Sequence, residues 1–111
     1  MLRVNEQNEI ELTRGDTAFL TVPIVNDLTG EEYIMEEDDT LTLTIKRSVT
    51  DKTPTLQKTA HGENTFHIRP EDTAGCDFAK YRYDVQLTRA NGDVYTVIVP
   101  TTFRVGEEVT Y

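Results

Sequence analysis

Residues 80 to 105, KYRYDVQLTRANGDVYTVIVPTTFRV, alternate apolar and polar side chains for longer than any other stretch of the chain. A period of two belongs to extended backbone, where neighbouring side chains point to opposite faces. Tyr81, Tyr83, Val85 and Leu87 share one face, and Tyr95, Val97 and Val99 share one face of the return strand. The stretch is therefore a long β-hairpin turning near Asn91-Gly92. A two-residue turn would set Leu87 opposite Thr96 and put the apolar rows on opposite faces. A three-residue loop, Ala90-Asn91-Gly92, sets Leu87 opposite Tyr95, Val85 opposite Val97 and Tyr83 opposite Val99, so the rows meet. Register follows the buried face, which predicts the three-residue loop with Gly92 in a left-handed conformation.

The same period runs through the rest of the chain. Ile10 and Leu12 share a face in EIEL. Ala18, Leu20, Val22 and Ile24 share one in AFLTVPIV, with Phe19 on the other side. Pro23 cannot donate to a ladder and marks a sheet edge or a bulge. A short strand is expected at Tyr33, Ile34 and Met35. TLTLTIKR points Leu41, Leu43 and Ile45 inward and its threonines outward, TLQKTA is a weaker strand, and TFHIR returns with Phe66 and Ile68 on one face. The expectation is an all-β, immunoglobulin-like antiparallel β-sandwich of about seven strands forming a single domain over residues 1–111. The only helical signal is PEDTAG, where Pro70 suits a first turn and Gly75 a stop, so one short helical turn is expected near residues 70–75.

Composition narrows the function classes. A net charge of −9 disfavours nucleic acid and anionic membrane surfaces, since phosphate recognition needs a basic patch. MLRVNEQNEI lacks the apolar run of a signal peptide, and no segment approaches about 18 apolar residues. Synthesis in the cytoplasm without the usual export signal is the expectation.

The residues that could do chemistry are scattered. His67 lies between Phe66 and Ile68 and is expected to point away from the core, and His61 precedes a turn glycine. A site needs converging groups rather than a lone ring. Cys76, the one cysteine, sits beside Asp77 and reads as a small half-buried side chain. The run Glu36-Glu37-Asp38-Asp39 lacks the order of a calcium loop and reads as a solvated, like-charged loop. Asp16 and Asp72 suit backbone capping at turns. Tyr81 or Tyr83, starting a strand after a corner, is placed to bond its hydroxyl back to the backbone as a tyrosine corner does. No cofactor, no metal and no enzymatic activity are expected.

The stretches LTRGDTAFLTVPI (12–24), GEEYIMEEDDTLTLTIK (30–46), FHIRPEDTAG (66–75) and KYRYDVQLTRANGDVYTVIVPTTFRVGEEVT (80–110) cover most of the chain. In their order they resemble the N-terminal β-sandwich modules of phage and prophage baseplate upper proteins, together with short stand-alone relatives encoded in Firmicute prophages. That resemblance implies an immunoglobulin-like sandwich that docks onto other virion proteins, in a baseplate, tail or neck/head accessory position, with no reaction to perform. The partners it implies are other virion proteins, and a homo-oligomer is open. Phe19, Val94 and Ile98 lie opposite the main apolar rows and are the candidate partner contacts. Free sheet edges offer a further route, by strand addition. The competing reading is a carbohydrate- or ligand-binding sandwich, for which Tyr33, Tyr95 and Tyr111 are the available aromatic rings.

Overall fold

The alternating runs become eight strands in the computed structural model, which describes residues 2–25 and 28–107. In chain order they are β1 (Leu2–Val4), β2 (Ile10–Thr13), β3 (Ala18–Thr21), β4 (Thr40–Lys46), β5 (Leu56–His61), β6 (Thr65–Ile68), β7 (Ala79–Thr88) and β8 (Val94–Gly106). One short helix, α1 (Pro70–Ala74), follows β6 with Pro70 in its first turn, as expected. β1 was not foreseen. No strand forms at Tyr33–Met35; the Tyr33 N–H donates to the Ile24 carbonyl at 2.8 Å, next to an isolated bridge between Val25 and Glu32.

Six strands form one sheet in the order β1-β2-β8-β7-β4-β5, and β3 and β6 form a second. The small sheet packs on the large one, giving the all-β sandwich. β3 and β6 opposite β4, β7 and β8 is the connectivity of an immunoglobulin-like domain. One pairing departs from the antiparallel expectation: β2 runs parallel to β8, with Ile10 beside Phe103 and Leu12 beside Val105. The long excursion between them permits this, since parallel neighbours need a crossover rather than a tight turn.

The core is what period two leaves between the sheets. Ile10, Leu12, Leu41, Leu43, Ile45, Tyr81, Tyr83, Val85, Leu87, Phe103 and Val105 face inward from the large sheet; Ala18, Leu20, Phe66 and Ile68 answer from the small one, and Val22 and Ile24 continue the row past β3. β3 ends at Thr21, two residues before Pro23, whose position in the ladder faces away from β6, as an edge proline's must.

The β7–β8 hairpin keeps the predicted turn. Leu87 faces Tyr95, the Arg89 N–H donates to the Asp93 carbonyl at 2.8 Å, and Gly92 takes φ +92°. Further down, the predicted pairing fails. The register shifts on either side of Val85, so Val85 faces Ile98 and Tyr83 faces Thr101, instead of Val97 and Val99. The reason lies at the far end. Without the shifts Tyr81 would face Thr101; with them it faces Phe103, and Val105 reaches Ala79. Irregular pairing, the work of β-bulges, is tolerated beside Pro100, which has no N–H to leave unpaired. The Pro100 carbonyl instead accepts from Arg82 Nη2 at 3.0 Å.

Two tyrosines tie β7 to its surroundings. The Tyr81 hydroxyl donates to the Asp77 carbonyl at 3.1 Å, the corner bond anticipated for one of the pair. The Tyr83 hydroxyl reaches the Asn8 carbonyl in the β1–β2 turn, and its ring meets Phe103 edge-on at 5.9 Å. Burial pushes the Tyr83 phenol up to about 12. The open side between β5 and β6 is closed by charge: Lys58, facing inward beside Leu56 and Ala60, donates to Asp72 at 2.9 Å.

Gly62, between β5 and β6, has φ +69°, and a Cβ there would lie 3.1 Å from the Glu37 carbonyl oxygen; at Gly92 a Cβ would meet nothing within 4 Å. Gly92→Ala therefore carries only the left-handed backbone cost, about 1 kcal/mol. Gly62→Ala adds a backbone collision and is expected to destabilise the fold measurably more, a ranking that urea denaturation of the two variants would check.

Candidate functional site

The outer face of the small sheet is a four-residue ladder. Phe19 and His67 are cross-strand neighbours stacked at 4.5 Å between ring centroids with 10° between planes. Beside them Thr21 and Thr65 share a hydroxyl–hydroxyl hydrogen bond of 3.0 Å. Phe19 is 64 % exposed in spite of the stack. It is an apolar ring standing on a flat face, and burial of such a ring is worth about 1.5–3 kcal/mol to any contact that covers it.

The other candidate contacts fall elsewhere. Val94 is exposed at the start of β8, on the large sheet. Ile98 is not on the outer surface as expected: the register shift sets it opposite Val85, where it is half-buried against the core. Phe19 and Val94 thus stand on different sheets, and the two do not form one patch.

The acidic loop before β4 is solvated at Glu36, Glu37 and Asp38, but Asp39 is 1 % exposed. Its Oδ2 accepts from the Tyr33 hydroxyl and from the Glu36 N–H at 3.0 Å. These two bonds, opposed by burial, hold the carboxyl below its ordinary value. The same bond, with burial, raises the Tyr33 phenol. Arg89 completes the cluster, its guanidinium 5.7 Å from the Tyr33 ring centroid and 3.8 Å from Glu36 Oε2. The sequence contained the signal for Asp39, which is in phase with the inward row Leu41, Leu43, Ile45. Lys58 shows the same in-phase signal with Leu56 and Ala60.

Tyr33, Arg89 and Tyr95 line a surface depression of about 480 Å³ floored by Ile24 and Leu87. Two of the three tyrosines considered for a ligand platform therefore converge; Tyr111 lies outside the described residues. His61 and His67 do not converge with each other. His61 bonds Thr40 Oγ1 at 3.2 Å, and His67 points outward from β6 as expected. Cys76 is half-buried, and burial raises its thiol pKa. Asp72 caps α1 by accepting the Arg69 N–H at 2.8 Å. The N–H of Asp16 donates to the Thr13 carbonyl at 3.2 Å in the turn after β2. Among the described residues no group of three or more His, Cys, Asp or Glu gathers to hold a metal, and no helix is long and apolar enough to cross a membrane.

Comparison with known proteins returned no match to any family model, curated protein or solved structure.

The buried Asp39 and the half-buried Asp72 set an acid limit. Burial raises the Asp72 carboxyl, but the Arg69 N–H and the Lys58 ammonium outweigh it, so the net direction is down, as for Asp39. A depressed folded value contributes stability above the unfolded value of about 4, and that contribution is lost as pH falls through the folded value. Unfolding midpoints should therefore drop steeply below about pH 4, and Asp39→Asn with Asp72→Asn should flatten that slope while lowering stability at neutral pH.

Proposed function

We propose that this chain is a non-enzymatic virion structural module of a phage or prophage, of the baseplate, tail or neck/head accessory kind, made in the host cytoplasm and working through protein–protein contacts. The observation that carries the reading is Phe19. A strand ordinarily places polar groups on its solvated face, yet here a phenylalanine is exposed beside a strand edge that no other strand among the described residues covers. The resemblance of the ordered motifs to baseplate sandwich modules supports the same reading and supplies the class of partner. In purified particles, cross-linking with mass spectrometry should join this chain to another virion protein through the face around Phe19, and Phe19→Lys should reduce its incorporation several-fold without loss of folding. A chain absent from particles would refute the reading.

One observation favours a second reading. The Tyr33–Arg89–Tyr95 depression sets two aromatic rings beside a guanidinium and apolar side chains, a composition suited to a sugar or small ligand. On that reading a glycan array gives hits that Tyr95→Ala abolishes; an array without hits removes it.

A further inference from the structure

The two sheets end in four strand edges: β1 and β5 on the large sheet, β3 and β6 on the small one. Three are guarded by charge. β1 is three residues long and carries Arg3. β5 turns Lys58 inward onto Asp72. The ground beside β6 is lined by Lys58, Glu63, Arg69, Glu71 and Asp72. Inward charges, short edges and charged margins are the means by which sheets resist pairing with other chains. β3 is short, at four residues, and Pro23 follows it, but it carries none of the charge: residues 17–25, TAFLTVPIV, contain no charged side chain.

The hydrogen-bond phase of β3 follows from its end. The Val22 N–H donates to the Asn64 carbonyl at 2.9 Å, in continuation of the β3–β6 register. Bonded pairs alternate along an antiparallel ladder, so Ala18 and Leu20 bond to β6. Phe19 and Thr21 then turn their N–H and C=O groups to the uncovered edge. Pro23, next in phase, has no N–H and ends the pairing.

We infer that β3 pairs antiparallel with β3 of a second copy, about a two-fold axis at Leu20, each Phe19 opposite Thr21 of the other copy. The small sheets then join into one continuous sheet with both Phe19 rings on its outer face. The occupant is a second copy for two reasons on this surface. The register is self-complementary, because the bond-exchanging residues lie one on each side of Leu20, as an isologous contact requires. Charge points the same way: chains of net −9 repel one another, and β3 is the uncharged edge along which they meet without juxtaposing like charges. The inference rests on the contact-module reading and names one of its contacts.

Sedimentation equilibrium from about 10 μM to 1 mM tests it, with hydrogen exchange read at single amides. The expected result is a mass rising toward the dimer with concentration, more readily at high salt as the repulsion is screened. The Phe19 and Thr21 amides gain protection in step. Thr21→Pro removes an N–H that faces away from β6 and lies outside the β3–β6 ladder, so the fold is retained while pairing weakens by about tenfold or more. Phe19→Lys, at an exposed position, gives the same result by placing like charges across the axis, and serves should the proline variant not fold. A wild type that stays monomeric overturns the inference, as does a dimer that survives both substitutions or leaves the Phe19 and Thr21 amides unprotected. A monomer that still cross-links to another virion protein overturns the self-pairing alone and leaves the contact reading standing.

Discussion

The inner row of β7 holds this fold together. Tyr81, Tyr83, Val85 and Leu87 lie between the sheets, and β7 is paired on both flanks, with β4 on one side and β8 on the other. The inward rows of β4 and β8 lie directly beside it. The two hydroxyls make the row more than apolar filling. Tyr81 closes the corner from α1, and Tyr83 fastens the β1–β2 turn through the Asn8 carbonyl. A buried phenol must find an acceptor, so each ring fixes its own position along the strand.

From that row the shape of the surface follows. A six-stranded sheet backed by two strands cannot cover its whole inner face with backbone. The margin beyond β6 is closed by the Lys58–Asp72 pair, and that beside the hairpin end by the Tyr33–Asp39–Arg89 cluster. Both are half-exposed or buried polar arrangements in which a carboxylate accepts several bonds, the condition under which a charge near a core is tolerated. The same shortage of strands leaves β3 uncovered, and the exposed Phe19 stands beside that gap. The proposed contact role and the proposed self-pairing thus both rest on one feature, the inequality of the two sheets.

The elements differ in how plainly residue order announced them. The Ala90-Asn91-Gly92 loop was legible because only one loop length brings Leu87 and Tyr95 to one face, and turn geometry is local. The inward positions of β4, β6 and β7 were legible for the same reason. The pairing of Tyr83 with Val99 was misread because it assumed an unbroken ladder; a register shift decided by Phe103, many residues away, displaced it and set Ile98 half-buried against the core. Of the candidate contacts, the exposure of Phe19 and Val94 was legible from alternation alone. Asp39 was read as solvated because its neighbours are acidic, although its phase with Leu41 pointed inward.

Residue order by itself determined that this chain is built of strands, which side chains of most strands turn inward, where the hairpin reverses and where one short helix stands. Each of these depends on contacts between near neighbours or on the two-residue period of extended backbone. Tertiary structure alone decided that β2 lies parallel to β8, that the hairpin shifts register, that Tyr33, Arg89 and Tyr95 converge, and that β3 is left with an open edge. Those depend on which distant strands meet, and that is fixed by the volume to be filled between two sheets of unequal width.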